Sequence, residues 1–329
     1  EISPGAIFDF KEDMAIEVTS NGVLVADAAE KSQIVFTSKS AGSGIYWKGI
    51  WVKSNDSRNI LSNVEVSYAG NSAWGFSGTN YSGAVAIENG KLSVQMTEIS
   101  NSNGYGLYLH SGSMPQFGSN TFEGNELDAM VLMSNEAGKI DAATTFTNNG
   151  WDGVTIYNST LSEESTWANL HGEAMYRVAG WIYVEAGLTI DAGAAFAFDE
   201  ENALVVRGDG YFIAKGESGN PIVFTSSNEA GEINWAGIWI RTSDSRNEMD
   251  HCEVNLAGGY EFGFSGTNFA TAIAGDDADS PELTLTNSTI SNSASYAVYW
   301  EGGVINDVTS TTANNTFTGN AKDPAVVIP

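Results

Sequence analysis

Two phrases in the first part of the chain are repeated later, Ile34-Val35-Phe36-Thr37-Ser38 and Trp47-Lys48-Gly49-Ile50-Trp51-Val52. Both return 188 positions later, as Ile222-Val223-Phe224-Thr225-Ser226 and Trp235-Ala236-Gly237-Ile238-Trp239-Ile240. Agreement of this length at one fixed offset predicts that the chain contains an internal duplication, with two copies of one long repeat.

A shorter period lies inside each copy. Gly106–Leu109, Ala129–Leu132 and Gly153–Ile156 begin 23 and then 24 residues apart. Each such segment has short strands with alternating apolar residues, broken by Asn and Gly, and no helical periodicity. Because a unit of this size cannot bury its own apolar face, successive units must stack. We therefore predict an all-β fold, a parallel β-helix of about ten to twelve coils.

The repeat also predicts the organisation of the chain. We expect one β-helix domain over residues 1–329, with copies at about 1–125 and 189–320 joined by extra coils at 126–188. Glu1–Gly5 begins in the middle of the pattern, so we expect the natural precursor to extend upstream.

Alternation predicts which side chains face the core of the solenoid and which lie at its corners. The predicted inward residues are Ile50, Val52, Leu107, Leu109, Met130, Leu132, Val154 and Ile156. Asn125, Asn149 and Asn320 each follow a Phe by three residues, which predicts one shared corner. Asn tolerates the left-handed backbone conformation there and can hydrogen-bond the adjacent coil.

Along nearly its whole length, the chain resembles the parallel β-helix repeat proteins secreted by bacteria. The Ile-Val-Phe-Thr-Ser phrase, the Trp-x-Gly-Ile phrase and Asn120–Asn125 carry this resemblance. It implies a right-handed parallel β-helix in a bacterial protein that is extracellular or on the cell surface. It does not select a function, because such solenoids serve as lyases, hydrolases and adhesins.

Composition excludes several classes of partner. The chain has 41 acidic residues against 14 Lys and Arg, a net charge of −27. Such a surface repels nucleic acid and anionic lipid. No apolar run approaches the roughly 18 residues of a membrane span. Cys252 is the single cysteine, so an intrachain disulfide is impossible.

Outward aromatic residues are the strongest candidate for a binding surface, since sugars stack on exposed rings. Polysaccharide or a cell-surface glycan is therefore the predicted partner. The two copies are expected to supply two similar sites. As an alternative, the aromatic segments Trp74–Tyr81 and Phe262–Phe269 cover these rings. The predicted carbohydrate-binding residues are Trp51, Lys53, Tyr108, Tyr157, Trp239, Arg241 and Tyr299.

The phrase Asp250-His251-Cys252 resembles one found in pectate lyases, but the wider lyase pattern around it is missing. Its counterpart in the first copy is Ser62-Asn63-Val64. Alternation predicts Cys252 inward and His251 outward. No catalytic residue is assigned.

An enzyme that degrades polysaccharides remains the alternative function. A uronate lyase needs a basic side chain to take the α-proton, and four are available beside the outward Trp residues or in turns: Lys53, Arg58, Arg241 and Arg246. Asp276-Asp277 resembles the Asp pair of polygalacturonases, although the companion phrases of that family are absent.

Three carboxylates, Asp276, Asp277 and Asp279, are predicted to form either a solvated turn or a Ca²⁺ site, since Ca²⁺ prefers oxygen ligands. His110 and His171 show no metal-ligand spacing. The sequence thus favours a non-catalytic, glycan-binding or adhesive role. A structural spacer within a larger surface protein is the third possibility.

Overall fold

The computed structural model describes residues 1–29, 31–76, 79–228, 230, 233–263, 268–276, 279–322 and 325–328. The chain divides into two compact units, residues 1–155 with 170–174 and residues 156–169 with 175–329. Regular structure is almost entirely β-strand, and α1 (Ser134–Ala137) is the one α-helix among the described residues. No helix in the described part of the chain is both long and apolar enough to span a membrane.

Twenty strands begin in the first unit. They are β1 (Ile7–Phe10), β2 (Ala15–Val18), β3 (Val25–Asp27), β4 (Ile34–Ser38), β5 (Gly49–Val52), β6 (Ile60–Ser62), β7 (Val64–Ser67), β8 (Trp74–Phe76), β9 (Thr79–Tyr81), β10 (Gly83–Ile87), β11 (Gly90–Lys91), β12 (Ser93–Gln95), β13 (Glu98–Ser100), β14 (Tyr105–Leu109), β15 (Gly112–Ser113), β16 (Phe117–Gly118), β17 (Thr121–Glu123), β18 (Asp128–Leu132), β19 (Thr145–Thr147) and β20 (Trp151–Ile156).

The second unit contains the remaining described strands. They are β21 (Ser159–Leu161), β22 (Ser165–Trp167), β23 (Met175–Val178), β24 (Ile182–Val184), β25 (Gly187–Ile190), β26 (Ala195–Phe198), β27 (Ala203–Val206), β28 (Tyr211–Lys215), β29 (Ile222–Ser226), β30 (Gly237–Ile240), β31 (Glu248–Asp250), β32 (Cys252–Asn255), β33 (Glu261–Gly263), β34 (Asn268–Gly275), β35 (Glu282–Thr286), β36 (Thr289–Ser291), β37 (Tyr296–Glu301), β38 (Val304–Ile305), β39 (Thr316–Thr318) and β40 (Ala325–Ile328).

Each unit is a parallel β-helix with three long sheets, and we number these sheets separately in each unit so that corresponding strands of the two copies share a number. The first sheet runs β1-β4-β7-β13-β17-β19 in one unit and β23-β26-β29-β32-β36-β39 in the other. The second sheet runs β2-β5-β10-β14-β18-β20 and β21-β24-β27-β30-β34-β37-β40, and the third runs β3-β6-β12-β16 and β22-β25-β28-β31-β35-β38. The first sheet is thus six strands deep in each unit, which agrees with the ten to twelve coils predicted. Only the hairpins β8–β9 and β33–β34 pair antiparallel among the described strands.

The predicted inward residues form the core. All eight, from Ile50 to Ile156, have 0 % of their surface exposed. Successive strands stack in register, which places apolar side chains on apolar side chains. Leu107 pairs with Met130, and Phe122 pairs with Phe146. This arrangement removes apolar surface from water along each unit, and that burial is the main stabilising term of a solenoid.

Left-handed residues turn the chain at its corners. Asn63 and His251 each occupy the single position between a third-sheet strand and the next first-sheet strand, with φ of 52° and 48°. At the next corner, directly after the first-sheet strands β17, β19 and β39, the left-handed residues are Gly124, Asn148 and Gly319. Each lies one position before the Asn that was predicted to turn the chain. The prediction of left-handed Asn125, Asn149 and Asn320 was therefore wrong by one residue.

The predicted hydrogen bonding of these Asn residues is confirmed. Asn125 accepts from the amide of Ser102 at 3.1 Å and donates to the carbonyl of Ile99 at 3.1 Å. Asn320 makes the equivalent bonds to Ser293 and Ile290 in the second unit. Each Asn side-chain amide therefore pairs with backbone N–H and C=O groups that have no strand partner where the chain bends.

Candidate functional site

The outward aromatic residues of the first unit lie under a hairpin. The indole rings of Trp51 and Trp74 lie 5.5 Å apart, and Trp74 belongs to β8. Phe76 and Tyr81 stack on Tyr108 with ring centroids at 5.5 Å and 4.5 Å. Tyr108 is consequently only 6 % exposed.

The second unit repeats this cover. Phe262 lies 5.1 Å from Trp239, and Phe269 stacks on Tyr299 at 3.9 Å. Trp239 and Tyr299 retain 7 % and 3 % exposure. The expectation of open rings at Tyr108, Trp239 and Tyr299 was therefore wrong, and the alternative of an aromatic cover is what the structure contains.

The basic residues expected beside these rings are engaged as well. Lys53 lies over the Trp51 ring at 4.0 Å and pairs with Glu17. Arg241 lies over Trp239 at 4.4 Å, and its Nε donates to Asp279 Oδ2 at 2.7 Å. The partly exposed Tyr157 follows the end of β20 rather than lying within the strand.

The three carboxylates of the predicted Ca²⁺ loop have different surroundings. Asp276 is 3 % exposed, Asp279 pairs with Arg241, and Asp277 lies outside the described residues. In the described part of the chain no group of three His, Cys, Asp or Glu side chains is arranged to hold a metal ion. Calcium binding by this loop stays a prediction.

Asp250, His251 and Cys252 form a structured corner. His251 Nδ1 lies 2.9 Å from Asp250 Oδ2, while Oδ1 of Asp250 accepts from Thr286 and Asn287 at 2.7 Å each. Burial opposes ionisation of Asp250, but hydrogen bonds from Asn287, Thr286 and His251 bring its pKa below the usual value.

Cys252 faces inward as predicted and is 1 % exposed. Burial raises the pKa of its thiol to about 12. The thiolate needed for nucleophilic chemistry is therefore scarce at neutral pH. A cavity of about 240 Å³ lies beside His251, where the first copy instead has Asn63 donating to the carbonyls of Ala28 and Lys31.

A pair of side chains that we name the Asp–Arg fork recurs in both copies. Arg58 Nε and one terminal nitrogen donate to the two carboxylate oxygens of Asp56 at 2.9 Å and 2.7 Å. Arg246 makes the same two bonds to Asp244, at 2.9 Å and 2.6 Å. The hydrogen bond from Arg58 lowers the pKa of Asp56 from 3.8 to about 2.

A buried Asn fixes the loop that carries each fork. Asn59 accepts from the amide of Leu24 at 2.8 Å and donates to the carbonyl of Ser54. Asn247 accepts from the amide of Phe212 at 2.8 Å. The sequence identified both Arg residues but not their pairing with Asp. The recurring phrase Asp-Ser-Arg-Asn, at 56–59 and 244–247, was the available signal.

The first-unit fork borders an open cavity. This first-unit cavity of about 580 Å³ is lined by Val25, Ser57, Arg58, Ile60, Ser93, Pro115 and Gln116. Val25, Ile60 and Ser93 are aligned in register on adjacent third-sheet strands and form its floor. The side chain of Arg58 is 71 % exposed at its edge.

The second-unit fork has different surroundings. Arg246 stacks on the ring of Tyr211 at 3.6 Å, and Lys215 pairs with Glu248 at 2.7 Å on the same sheet. A cavity of about 400 Å³ lies beside this fork, lined by Gly208, Asp209, Gly210, Thr242, Ser243, Asp244 and Arg246. The two forks thus share geometry but face cavities of different composition.

Two family models match the chain. Residues 15–169 match the model described as a right handed beta helix region, and residues 153–272 match that described as a pectate-lyase like beta helix domain. No curated protein and no solved structure matches the chain. The two family matches confirm the resemblance to parallel β-helix proteins and the right-handed fold class.

Proposed function

We propose that the chain is a non-catalytic, carbohydrate-binding protein of the cell surface or extracellular space, and that it holds a saccharide in the first-unit cavity. The observation that carries this proposal is the Asp56–Arg58 fork, fixed at the edge of an open cavity of about 580 Å³. Cavities of roughly 300–1,000 Å³ suit small ligands.

The fork matches the chemistry of sugar hydroxyls. A guanidinium has five N–H donors and a carboxylate has about four acceptor positions. The pair itself uses two donors of Arg58, so donors and acceptors both remain for a ligand. Because each side chain is already held by the other, binding costs less conformational entropy than the ordering of two free side chains.

Basic side chains that a uronate lyase would need are held by carboxylates. Arg58, Arg241 and Arg246 pair with Asp56, Asp279 and Asp244. Hydrogen bonding to Asp56 raises the pKa of Arg58, which is the opposite of what a proton-abstracting base requires. These pairs support binding over catalysis at the residues concerned.

Binding to a panel of neutral and acidic polysaccharides, measured by affinity electrophoresis and calorimetry, tests the proposal. Arg58→Ala removes hydrogen bonds to a charged group and should weaken binding about ten- to hundredfold. Arg207→Ala is the matched control, since Arg207 also joins an ion pair with Glu185 and stacks on Tyr183. Equal binding by Arg58→Ala and the parent would leave a structural spacer as the best account.

A polysaccharide-degrading enzyme is the second candidate, favoured by one asymmetry. Lys215, Glu248 and His251 of the second unit replace Asp27, Ile60 and Asn63 of the first. Acid–base catalysis needs several ionisable groups at one site, and the second copy has three at positions where the first has one. New reducing ends, or the ultraviolet absorbance of an unsaturated uronate, would establish this candidate and overturn the non-catalytic proposal.

A further inference from the structure

We infer that the first-unit cavity selects a neutral hexose residue that carries a methyl group, and that the second unit lacks this subsite. The inference rests on the proposed function and names the class of ligand at the same site. The methyl group can be the C6 carbon of a 6-deoxyhexose or the end of an O-acetyl substituent.

The floor of the cavity provides the apolar part of the site. Val25 and Ile60 are partly exposed and pair in register, so their side chains form one continuous patch between adjacent strands. Pro115 adds an apolar wall from another coil. Gln116 borders this patch and Arg58 lies at the edge of the cavity, so a ring lying on the floor would meet mainly apolar atoms beneath it and polar groups at its rim.

Charge favours a neutral ligand. Arg58 is the one basic side chain that lines the cavity in the described structure, and its charge is balanced by Asp56 at 2.7 Å. The chain as a whole carries −27, which repels a polyanion before it reaches the site. A neutral sugar with one apolar substituent complements both the balanced fork and the aliphatic floor.

The second unit has different residues at the positions equivalent to this cavity. Glu248 stands where the first copy has Ile60, and Tyr211 stands where it has Val23. Glu248 pairs with Lys215, and the Tyr211 ring lies against the Arg246 guanidinium at 3.6 Å. A carboxylate and an aromatic ring that contact basic side chains therefore replace, in the second unit, two aliphatic residues of the first.

Calorimetry with three series of disaccharides tests the inference: one ends in a hexose, one in its 6-deoxy counterpart and one in its 6-O-acetyl counterpart. Burial of one methyl group should favour at least one modified series by about fivefold. Ile60→Glu, which copies the second unit, and Ile60→Ser, which adds no charge, should both remove this preference. Thr147→Glu, which adds a carboxylate at an exposed position of β19 in the same unit, is the control and should leave binding unchanged.

Different failures have different meanings. Binding of all three series with equal affinity would overturn the methyl subsite and leave the proposed function standing. No binding of any saccharide would overturn both. Sedimentation of the parent and of Ile60→Glu tests whether a second copy of the chain, rather than a saccharide, covers the floor of the cavity. A dimer that dissociates only in the variant would show that the floor contacts a second copy of the chain, and would overturn the inference. Melting temperatures confirm that each variant folds.

Discussion

The two copies keep the same interior and differ on their outer faces. Phe10 stacks on Trp47 at 4.2 Å, and their counterparts Phe198 and Trp235 stack at 4.0 Å. Trp47 Nε1 donates to the carbonyl of Ser67 at 2.9 Å, and Trp235 Nε1 donates to the carbonyl of Asn255, the counterpart of Ser67, at the same distance. Outside the coil, an open aliphatic floor in one copy corresponds to ion pairs in the other. Packing therefore constrains inward positions, while outward positions can diverge without loss of the fold.

Placing a charge in the shared core gives the largest expected effect. Ile50→Asp and Ile238→Asp each bury an unpaired carboxylate at a site with 0 % exposure. Each should lose at least about 4 kcal/mol of unfolding free energy, measured by denaturant titration. Thr284→Asp, on an exposed position of β35, is the control. If either core variant melted within a few degrees of the parent, the equivalence of the two interiors would be wrong.

Removing the buried loop anchor should have a smaller effect, again equal in both copies. Asn59→Ala and Asn247→Ala leave buried backbone groups without a partner and should each cost about 1–3 kcal/mol. Asn55→Ala changes an exposed residue of the same loop and should be neutral. A large cost in one copy only would show that the two loops are held differently despite their matching bonds to Leu24 and Phe212.

The pH dependence of saccharide binding distinguishes the contribution of the Asp56–Arg58 fork from that of other contacts. Because its hydrogen bond from Arg58 lowers the pKa of Asp56 from 3.8 to about 2, the carboxylate stays ionised well below neutrality. The contribution of the fork should be constant from neutral pH down through 3.8 and disappear as the pH falls through about 2. Titration of saccharide affinity against pH measures this. A loss of affinity centred near the pKa of His would assign binding to another group.

Calcium should have the smallest effect. The first copy has Glu88 and Asn89 where the second has Asp276 and Asp277. Because Asp279 already pairs with Arg241, we propose weak binding that raises stability by less than about 1 kcal/mol. The melting temperature with and without EDTA measures this, with Asp279→Asn as the matched variant. No change upon EDTA treatment of protein shown to be calcium-loaded would remove the site.

The repeat predicted the strands and their inward faces because alternation and stacking act on neighbouring residues. The covering of the outward aromatic rings by the two hairpins could not be predicted as firmly as the strands. An outward Trp239 has the same alternation whether water or Phe262 covers it, and the sequence left both possibilities open. The Asp56–Arg58 fork depends on the path of a loop, where strand alternation gives no signal and the repeated Asp-Ser-Arg-Asn phrase does not specify the pairing. The repeat pattern locates a corner only to within one residue. It therefore could not predict that the left-handed residue is Gly124 rather than Asn125.

The one-residue corners limit where the chain can be lengthened. Asn63 and His251 each join two strands without a spare residue, and a buried core lies on the inner side of both strands. An extra residue there would shift the following strand by one position and turn its apolar side chains outward. The connection from β4 to β5 spans residues 39–48, whereas that from β19 to β20 spans only 148–150. A foreign peptide displayed on this scaffold should therefore be inserted between the first and second sheets, where connection length already varies from coil to coil.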